Sequence, residues 1–309
     1  QHLGGDLPWD REITRKWLPV NSYIGGAEHA VLHLLYARFV WMALKDWGYL
    51  EGIESDEPFP FLFGHGLIIK DGAKMSKSRG NIVNPDEYID RYGADALRMY
   101  LMFLGPYDQG GDFRDSGMAG TYRFLERVWR LFKNGPLKDT PYKVQTSAKL
   151  KRKLHQTIKK VGEDLGKFKY NTAIAALMEL VNEWEDGSMA KEDAKVVVKL
   201  LAPLAPYVAE ELWQELTPYK DTPFKVNSVH VQPWPKWDED LIKEDEVTVV
   251  VQVNGKMRGI LQIKSEKLKI KSEILEMAKK EERVAKWLMG KKIKQVVWVP
   301  NRLINIEVE

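Results

Sequence analysis

The stretch DGAKMSKSRGN at positions 71–81 gathers three cations, Lys74, Lys77 and Arg79, and two hydroxyls, Ser76 and Ser78, between glycine-containing turns. It follows FPFLFGHGLII (59–69), an apolar run bounded by proline and glycine that reads as one buried parallel strand. A cationic loop at the exit of such a strand is placed to hold a polyphosphate while charge develops on its leaving group. Phosphoryl and nucleotidyl transfer are catalysed mainly by positioning and electrostatic stabilisation, which ammonium groups and hydroxyl donors supply. On composition alone, an ordinary basic surface loop is the simpler reading.

A second group lies upstream at Gly25, Gly26 and Glu28. Glycines let a backbone approach a ligand closely, and a carboxylate on a first helical turn can accept hydrogen bonds from a ribose. The plainer account is a tight turn in which Glu28 complements the helix dipole. His29 and His33 are four apart and share a helix face. They could hold zinc, but there is no HExxH pattern and no third ligand, so no metal site is expected.

These residues need elements to position them. LPVNSYIGG (18–26) reads as a short buried strand running into a double-glycine turn, and AEHAVLHLLYARFVWMALKDWGY then carries apolar positions at helical spacing. After the loop, NPDEY starts a helix with Asn84 as cap, Pro85 first in the turn and Glu87 three residues after the cap. Alternating strand and helix implies a sheet covered by helices, with ligands at the carboxyl ends of the strands. From about Asp115 the texture is helical only. TYRFLERVWRLF, LKRKLHQTIKKVGEDL, NTAIAALMELVNEW and APLAPYVAEELWQEL each carry an apolar stripe, such as Ile174, Leu177, Met178, Val181 and Trp184, and predict an antiparallel bundle.

A connector rich in proline and tryptophan, TPFKVNSVHVQPWPKWDEDL, precedes a small last unit. There VTVVVQVNGKMRGILQI predicts two strands around Asn254-Gly255, a charged helix runs from about Ser272 to Met289, and IKQVVWVPNRLINIEV supplies two more strands. The expected divisions are 1–114, 115–225, a linker at 226–246 and an α+β module at 247–309.

The net charge of +3 is unevenly placed. Residues 247–309 hold 14 Lys+Arg against 7 Asp+Glu, a net of +7, which leaves the rest at −4. A second basic run spans Lys143 to Tyr170. Two basic surfaces suit a polyanion, whose counterions are released on binding, although solvated helix faces are the simpler reading of charge alone. There are no cysteines, which excludes disulfides and thiolate metal sites and fits a reducing cytosol. No apolar run reaches membrane-spanning length and no signal peptide is visible, so a soluble, cytoplasmic, globular protein is expected. The chain begins at Gln1. It therefore reads as the later part of a longer polypeptide or one chain of a split one.

The string Lys74-Met75-Ser76-Lys77-Ser78 resembles the KMSKS signature loop of class I aminoacyl-tRNA synthetases, and KMSKSRGN narrows the likeness to the leucine, isoleucine, valine and methionine group. With YIGGAEHAVLHLLYARF, GADALRMYLMF, YRFLERVWRL, YNTAIAALMELVNEW and VQVNGKMRG, about residues 17–309 resemble the carboxy-terminal portion of bacterial-type leucyl-tRNA synthetase. The resemblance implies the second half of an α/β Rossmann-like nucleotide-binding domain, an all-α bundle that accompanies the anticodon stem, and a C-terminal α+β module that contacts tRNA. The substrates it implies are leucine, ATP with Mg2+, and tRNA(Leu). Lys74 and Lys77 would grip the ATP phosphates. Met75, Ser76 and Ser78 would complete the loop, and Gly25, Gly26 and Glu28 would meet the rest of the nucleotide. His29 and His33 would surround the leucine side chain. Lys256, Arg258, Lys279, Lys280, Lys291 and Lys292 would face the corner of the tRNA.

The family's HxGH string is not found, since GHG at 64–66 lacks its spacing, and the inserted editing domain is absent as well. The chain alone is therefore expected to be inactive and to need an amino-terminal half carrying HxGH. The rival readings are a valine or isoleucine synthetase fragment and a non-catalytic tRNA-binding or assembly subunit.

Overall fold

The structure, a computed structural model, describes residues 7–133, 144–217, 227–242, 246–264, 271–299 and 302–309. The chain forms two compact units, Gln1–Lys236 and Trp237–Glu309. In the first, α1 (Arg11–Trp17) is capped by Asp10, whose carboxylate accepts from the Ile13 N–H at 2.9 Å. Strand β1 (Tyr23–Gly26) leads through a 3-10 turn at Ala27–Ala30 into α2 (His33–Asp46) and pairs in parallel with β2 (Leu62–His65). Strand β3 (Leu67–Lys70) lies in a different sheet, between antiparallel β4 (Ala73–Lys74) and parallel β5 (Gly110–Phe113).

The single strand expected over 59–69 is thus two strands in two sheets. The cause is at Gly66, where an added Cβ would fall 2.0 Å from the backbone of Gln109 and Gly110. The Gly66 N–H turns aside to donate to the Tyr107 carbonyl at 2.8 Å, and the chain changes sheets there. Nor is β1 buried as expected: of its four residues only Gly26 is. On α2, Leu34 and Trp41 face inward, whereas Leu35, Tyr36, Phe39 and Val40 are each more than half exposed.

Past the loop, α3 (Pro85–Tyr92) starts as expected, with the Asn84 side chain accepting from the Asp86 N–H at 3.2 Å. Helices α4 (Ala94–Phe103), α5 (Asp115–Lys133), α6 (Ala148–Gly166), α7 (Tyr170–Glu185), α8 (Lys191–Leu201) and α9 (Pro206–Leu216) share one apolar core. The inward stripe of α7, including Ile174, Leu177, Val181 and Trp184, is buried at its centre. Helix α8 is an element that none of the apolar stripes read from the sequence includes. The segment expected to form one helix from Ala202 instead begins with a turn. Ala205 precedes Pro206, leaves the helical region (φ −133, ψ 74), and α9 starts at the proline.

The basic run on α6 is spent on the bundle itself. Lys149, Lys151, Lys153 and Lys160 pair with Glu183, Asp193, Glu179 and Asp164 at 2.5–2.6 Å. Lys143 lies outside the described residues. The connector is likewise anchored where it is described, because Glu210 of α9 accepts from the Ser228 hydroxyl at 2.8 Å and the Val229 N–H at 3.0 Å, and Val229 is buried.

The second unit is a four-stranded mixed sheet in the order β7-β6-β9-β8, formed by β6 (Glu246–Val253), β7 (Lys256–Lys264), β8 (Ile293–Val299) and β9 (Leu303–Val308). Asn254 (φ 50) and Gly255 (φ 74) make the two-residue hairpin turn that their types predict. The Asn254 side chain donates to the Val308 carbonyl and accepts from its N–H. The single helix expected over 272–289 is two, α10 (Lys271–Lys280) and α11 (Glu282–Leu288). Glu281 is extended (φ −68, ψ 117), which brings Val284 down onto β7 at Gly259, where a Cβ would lie 2.7 Å from its methyl.

One buried charge ties the first unit together. Asp95, at the start of α4 and 5% exposed, accepts from the Val208 N–H in the first turn of α9 at 2.7 Å. Burial raises its carboxyl above the ordinary value, against the pull of the Val208 and Tyr207 backbone donors and of Arg98 and His230. A carboxyl whose folded pKa exceeds its unfolded one binds its proton more tightly when folded. Its contribution is therefore largest below the unfolded pKa and declines as pH rises through the folded one. Asp95→Asn keeps an acceptor for Val208 without the charge. We expect it to melt no lower than wild type at neutral pH and to lose that decline, whereas Asp95→Ala should cost about 1–3 kcal/mol by orphaning the Val208 N–H. Thermal unfolding across the acid range measures both, and an Asn variant as unstable as the Ala variant would contradict this account.

Candidate nucleotide site and nucleic-acid interface

The loop that carries the cations is a hairpin closed by its own turn chemistry. Asp71 (φ 54) and Gly72 (φ 71) turn β3 back into β4, and Gly80 (φ 65) ends the 3-10 turn Lys77–Arg79. Between them Asn81 acts as a staple. Its side-chain oxygen accepts from the Ser76 N–H at 2.9 Å, and its amide nitrogen donates to the carbonyls of Lys70 and Lys74 at 3.3 Å. Ser76 and Ser78 bond to each other at 3.2 Å, and Met75 is half-buried against the bundle core. Lys74, Lys77 and Ser78 are left exposed. The turn is fixed from outside as well: Gly72 N–H donates to Asp112 at 3.4 Å, and Lys70 reaches Asp115 at 3.7 Å. Tyr88 also donates to Asp115, and burial with this contact pushes its hydroxyl up to about 12.

The exit of β1 lies within electrostatic reach of the loop. Gly25 and Gly26 pair with Gly64 and His65, and Glu28 sits on the 3-10 turn beyond. The Glu28 carboxylate folds back into the space a side chain at Gly26 would occupy, its oxygen 2.4 Å from where that Cβ would lie. Its own backbone N–H holds the carboxyl below the ordinary value, against slight desolvation, and the charges of His29, Lys74 and His65 add to the effect. The structure thus brings Glu28 and Lys74 within electrostatic reach of each other, while Lys77 stands on the outer turn. His65 is the addition here: it lies in the GHG string set aside in the sequence, and only its pairing with Gly26 reveals its place.

His29 and His33 stand edge to face, 6.4 Å between ring centres. His33 bonds to the Tyr23 hydroxyl at 2.7 Å, and Tyr23 stacks on Phe59 at 4.0 Å. Among the described residues no cluster of three or more His, Asp or Glu could hold a metal, and no helix is long and apolar enough to cross a membrane.

In the second unit, Lys256 and Arg258 follow the hairpin turn, and Lys291 and Lys292 follow α11. Contacts of Asn254 with Val308, of Gly255 with Asn305, and of the Glu309 N–H with the Lys292 carbonyl draw these positions to one end of the sheet. Lys279 and Lys280 end α10, where Lys279 pairs with Glu276 at 2.7 Å.

Two family models match the chain: tRNA synthetases class I (I, L, M and V) over residues 38–113, and the anticodon-binding domain of tRNA ligase over residues 148–274. Leucine–tRNA ligases of Petrotoga mobilis, Dehalococcoides mccartyi and Pseudothermotoga lettingae are 40%, 44% and 44% identical over 97–98% of this chain. The chain spans 36–38% of their length. Among solved structures, the ternary complex of an Agrobacterium radiobacter LeuRS with tRNA and LeuAMS superposes with a TM-score of 0.78 at 34% identity, covering 98% of this chain and 40% of that one. The Mycobacterium tuberculosis methionyl-tRNA synthetase in complex with methionyl-adenylate shares the fold at a TM-score of 0.50 and 19% identity, over 67% of this chain and 46% of that one. With a class I synthetase-like fold and a likeness that runs along nearly its whole length, the chain is a homologue of the leucine–tRNA ligases and corresponds to somewhat over a third of their length.

Proposed function

We propose that this chain is the carboxy-terminal portion of a leucyl-tRNA synthetase, which activates leucine with ATP and transfers it to tRNA(Leu) once joined to an amino-terminal half that carries HxGH. The observation that carries this reading is that Lys74 of the cationic loop lies within electrostatic reach of the Glu28 carboxylate just past β1. A carboxylate held ionised accepts from ribose hydroxyls, and the loop cations meet phosphates, with Mg2+ arriving as part of the ATP substrate. Lys74 and Lys77 stabilise the charge that develops on pyrophosphate. Ser76, Ser78 and Met75 set the loop's shape, and His29 and His33 line the leucine side.

The apolar outer face of α2, with Leu35, Tyr36, Phe39 and Val40, supports the need for a further half. An exposed stripe of this kind is stabilised at about 25 cal/mol per Å2 when covered. We assign residues 1–114 to the catalytic half, 115–225 to the anticodon-stem bundle, 226–246 to a linker and 247–309 to a tRNA-binding module. The basic end of that module, Lys256, Arg258, Lys291 and Lys292 with Lys279 and Lys280 nearby, takes the corner of the tRNA through backbone and shape.

In the enzyme completed by its amino-terminal half, Lys77→Ala should slow leucine-dependent pyrophosphate exchange by about 10²–10³-fold while the leucine KM stays nearly constant, as loss of a transition-state interaction requires. A change in leucine KM alone would refute that role. Gly26→Ala tests Glu28. The backbone of Gly26 (φ −67, ψ 151) suits any residue, so the methyl displaces only the carboxylate. We expect a raised KM for ATP with an unchanged melting temperature, and an unaltered KM would remove Glu28 from the nucleotide site. Deleting Trp237–Glu309 should leave leucine activation nearly intact and sharply reduce tRNA charging. Equal charging at physiological salt would show that this unit does not hold tRNA.

A further inference from the structure

In the second unit the guanidinium carbon of Arg258 lies over the ring of Trp287, 3.5 Å from its centroid. The Arg258 Nε is buried, makes no hydrogen bond, and the side chain pairs with no carboxylate among the described residues. Arginine held this way forgoes its usual fork of hydrogen bonds and keeps a planar, weakly hydrated cation over a ring. The stack is positioned by the fold, because α11 rests on Gly259, next to Arg258, and only glycine admits the Val284 methyl there.

The surroundings of this pair are both apolar and cationic. Trp287 remains 37% exposed, Met257 55% and Met289 84%. Lys256, next to Met257 in the chain, and Lys291 and Lys292, just past Met289, are exposed too. The contrast with α6, where Lys149, Lys151, Lys153 and Lys160 each find a carboxylate, is informative. Those four lysines of α6 serve the fold, while Lys256, Lys291 and Lys292 pair with no carboxylate among the described residues.

We propose that Arg258 stacked on Trp287, with the exposed Met257 and Met289 near it in the chain, is a platform that takes the open face of a nucleobase in the bound tRNA. Lysines at 256, 291 and 292 hold the flanking phosphates. The occupant is an RNA rather than an acidic protein because the two parts of the surface match the two parts of a nucleotide. Planar π and guanidinium groups suit the base, and exposed cations suit the phosphate. The unit's net +7 favours a polyanion over a neutral apolar partner. This rests on the tRNA-binding reading of the unit and adds that binding there depends on stacking as well as on charge.

The two contributions separate in a salt titration of tRNA affinity, measured on the complete enzyme. Stacking carries no counterion release, whereas each phosphate engaged adds to the slope of log affinity against log salt. Trp287→Ala should weaken tRNA binding roughly tenfold at every salt concentration without altering the slope. Trp287→Phe, which keeps a ring, should retain most of the affinity, and Arg258→Lys, which keeps the charge but not the plane, should behave like Trp287→Ala. Combined Lys256→Ala, Lys291→Ala and Lys292→Ala should flatten the slope by roughly 0.7–0.9 for each phosphate that is no longer neutralised. Leucine-dependent pyrophosphate exchange should stay at the wild-type rate in the two Trp287 variants. If the lysine variants weaken binding but Trp287→Ala and Arg258→Lys do not, the platform is wrong while the charged interface stands. If Trp287→Ala changes the slope, the ring only arranges charges and the platform is again wrong. If none of the variants alters tRNA binding, the tRNA-binding reading of the unit falls as well.

Discussion

The backbone of Gly66 passes so close to that of Gln109 and Gly110 that no side chain could stand between them. This crossing is where the chain leaves β2 and its partner β1 for β3 and its partner β5. Two consequences follow from one close approach. His65 stays paired with Gly26, and β3 turns into another sheet, with Lys74 of its hairpin within electrostatic reach of Glu28. Tyr107 contributes both the carbonyl that receives the Gly66 N–H and a ring 6.0 Å from that of His65. The nucleotide site proposed above would need groups from two strands held at fixed separation, and a steric exclusion at a glycine can hold them without any long-range charge.

What the sequence reveals, and what it hides, divides along the range of the interactions involved. The cap at Asn84, the turn at Asn254-Gly255 and the stripe of α7 are legible because each is decided by residues within a few positions of itself. The cationic loop is legible because its signature is contiguous. The break at Gly66 is decided by residues more than forty positions away, and hydrophobicity runs through it unchanged. The separation of α10 from α11 depends on a glycine in β7 that gives Val284 room, which helical periodicity cannot register. Helix α8 belongs to none of the stripes read from the sequence, although Ala194, Val197, Val198 and Leu201 lie at helical spacing and are buried. His65 and Trp287 escape notice as single residues with no motif around them.

Charge composition is the least legible property of all. Residues 149–160 and residues 256–292 look alike as lysine-rich segments, yet the first is neutralised by Glu179, Glu183, Asp193 and Asp164. Those carboxylates come from α6 itself and from α7 and α8, so the pairing appears only when the bundle closes. In the second unit the lysines beside the hairpin and after α11 have no such counterparts in a neighbouring helix among the described residues. The same residue type is structural in one setting and available in the other, and only the fold distinguishes them.

The staple formed by Asn81 constrains the loop in a way that substitution alone does not expose. Its side chain holds the carbonyls of Lys70 and Lys74 and the N–H of Ser76 at once, so it ties three backbone points between positions 70 and 76 to position 81. Individual side chains on this stretch can vary in size without disturbing those three backbone partners. An added or deleted residue cannot, because it would shift every later atom by a full peptide unit and pull Asn81 off its partners. The loop is therefore a gauge of fixed length, and over time its spacing should prove more resistant to change than its composition.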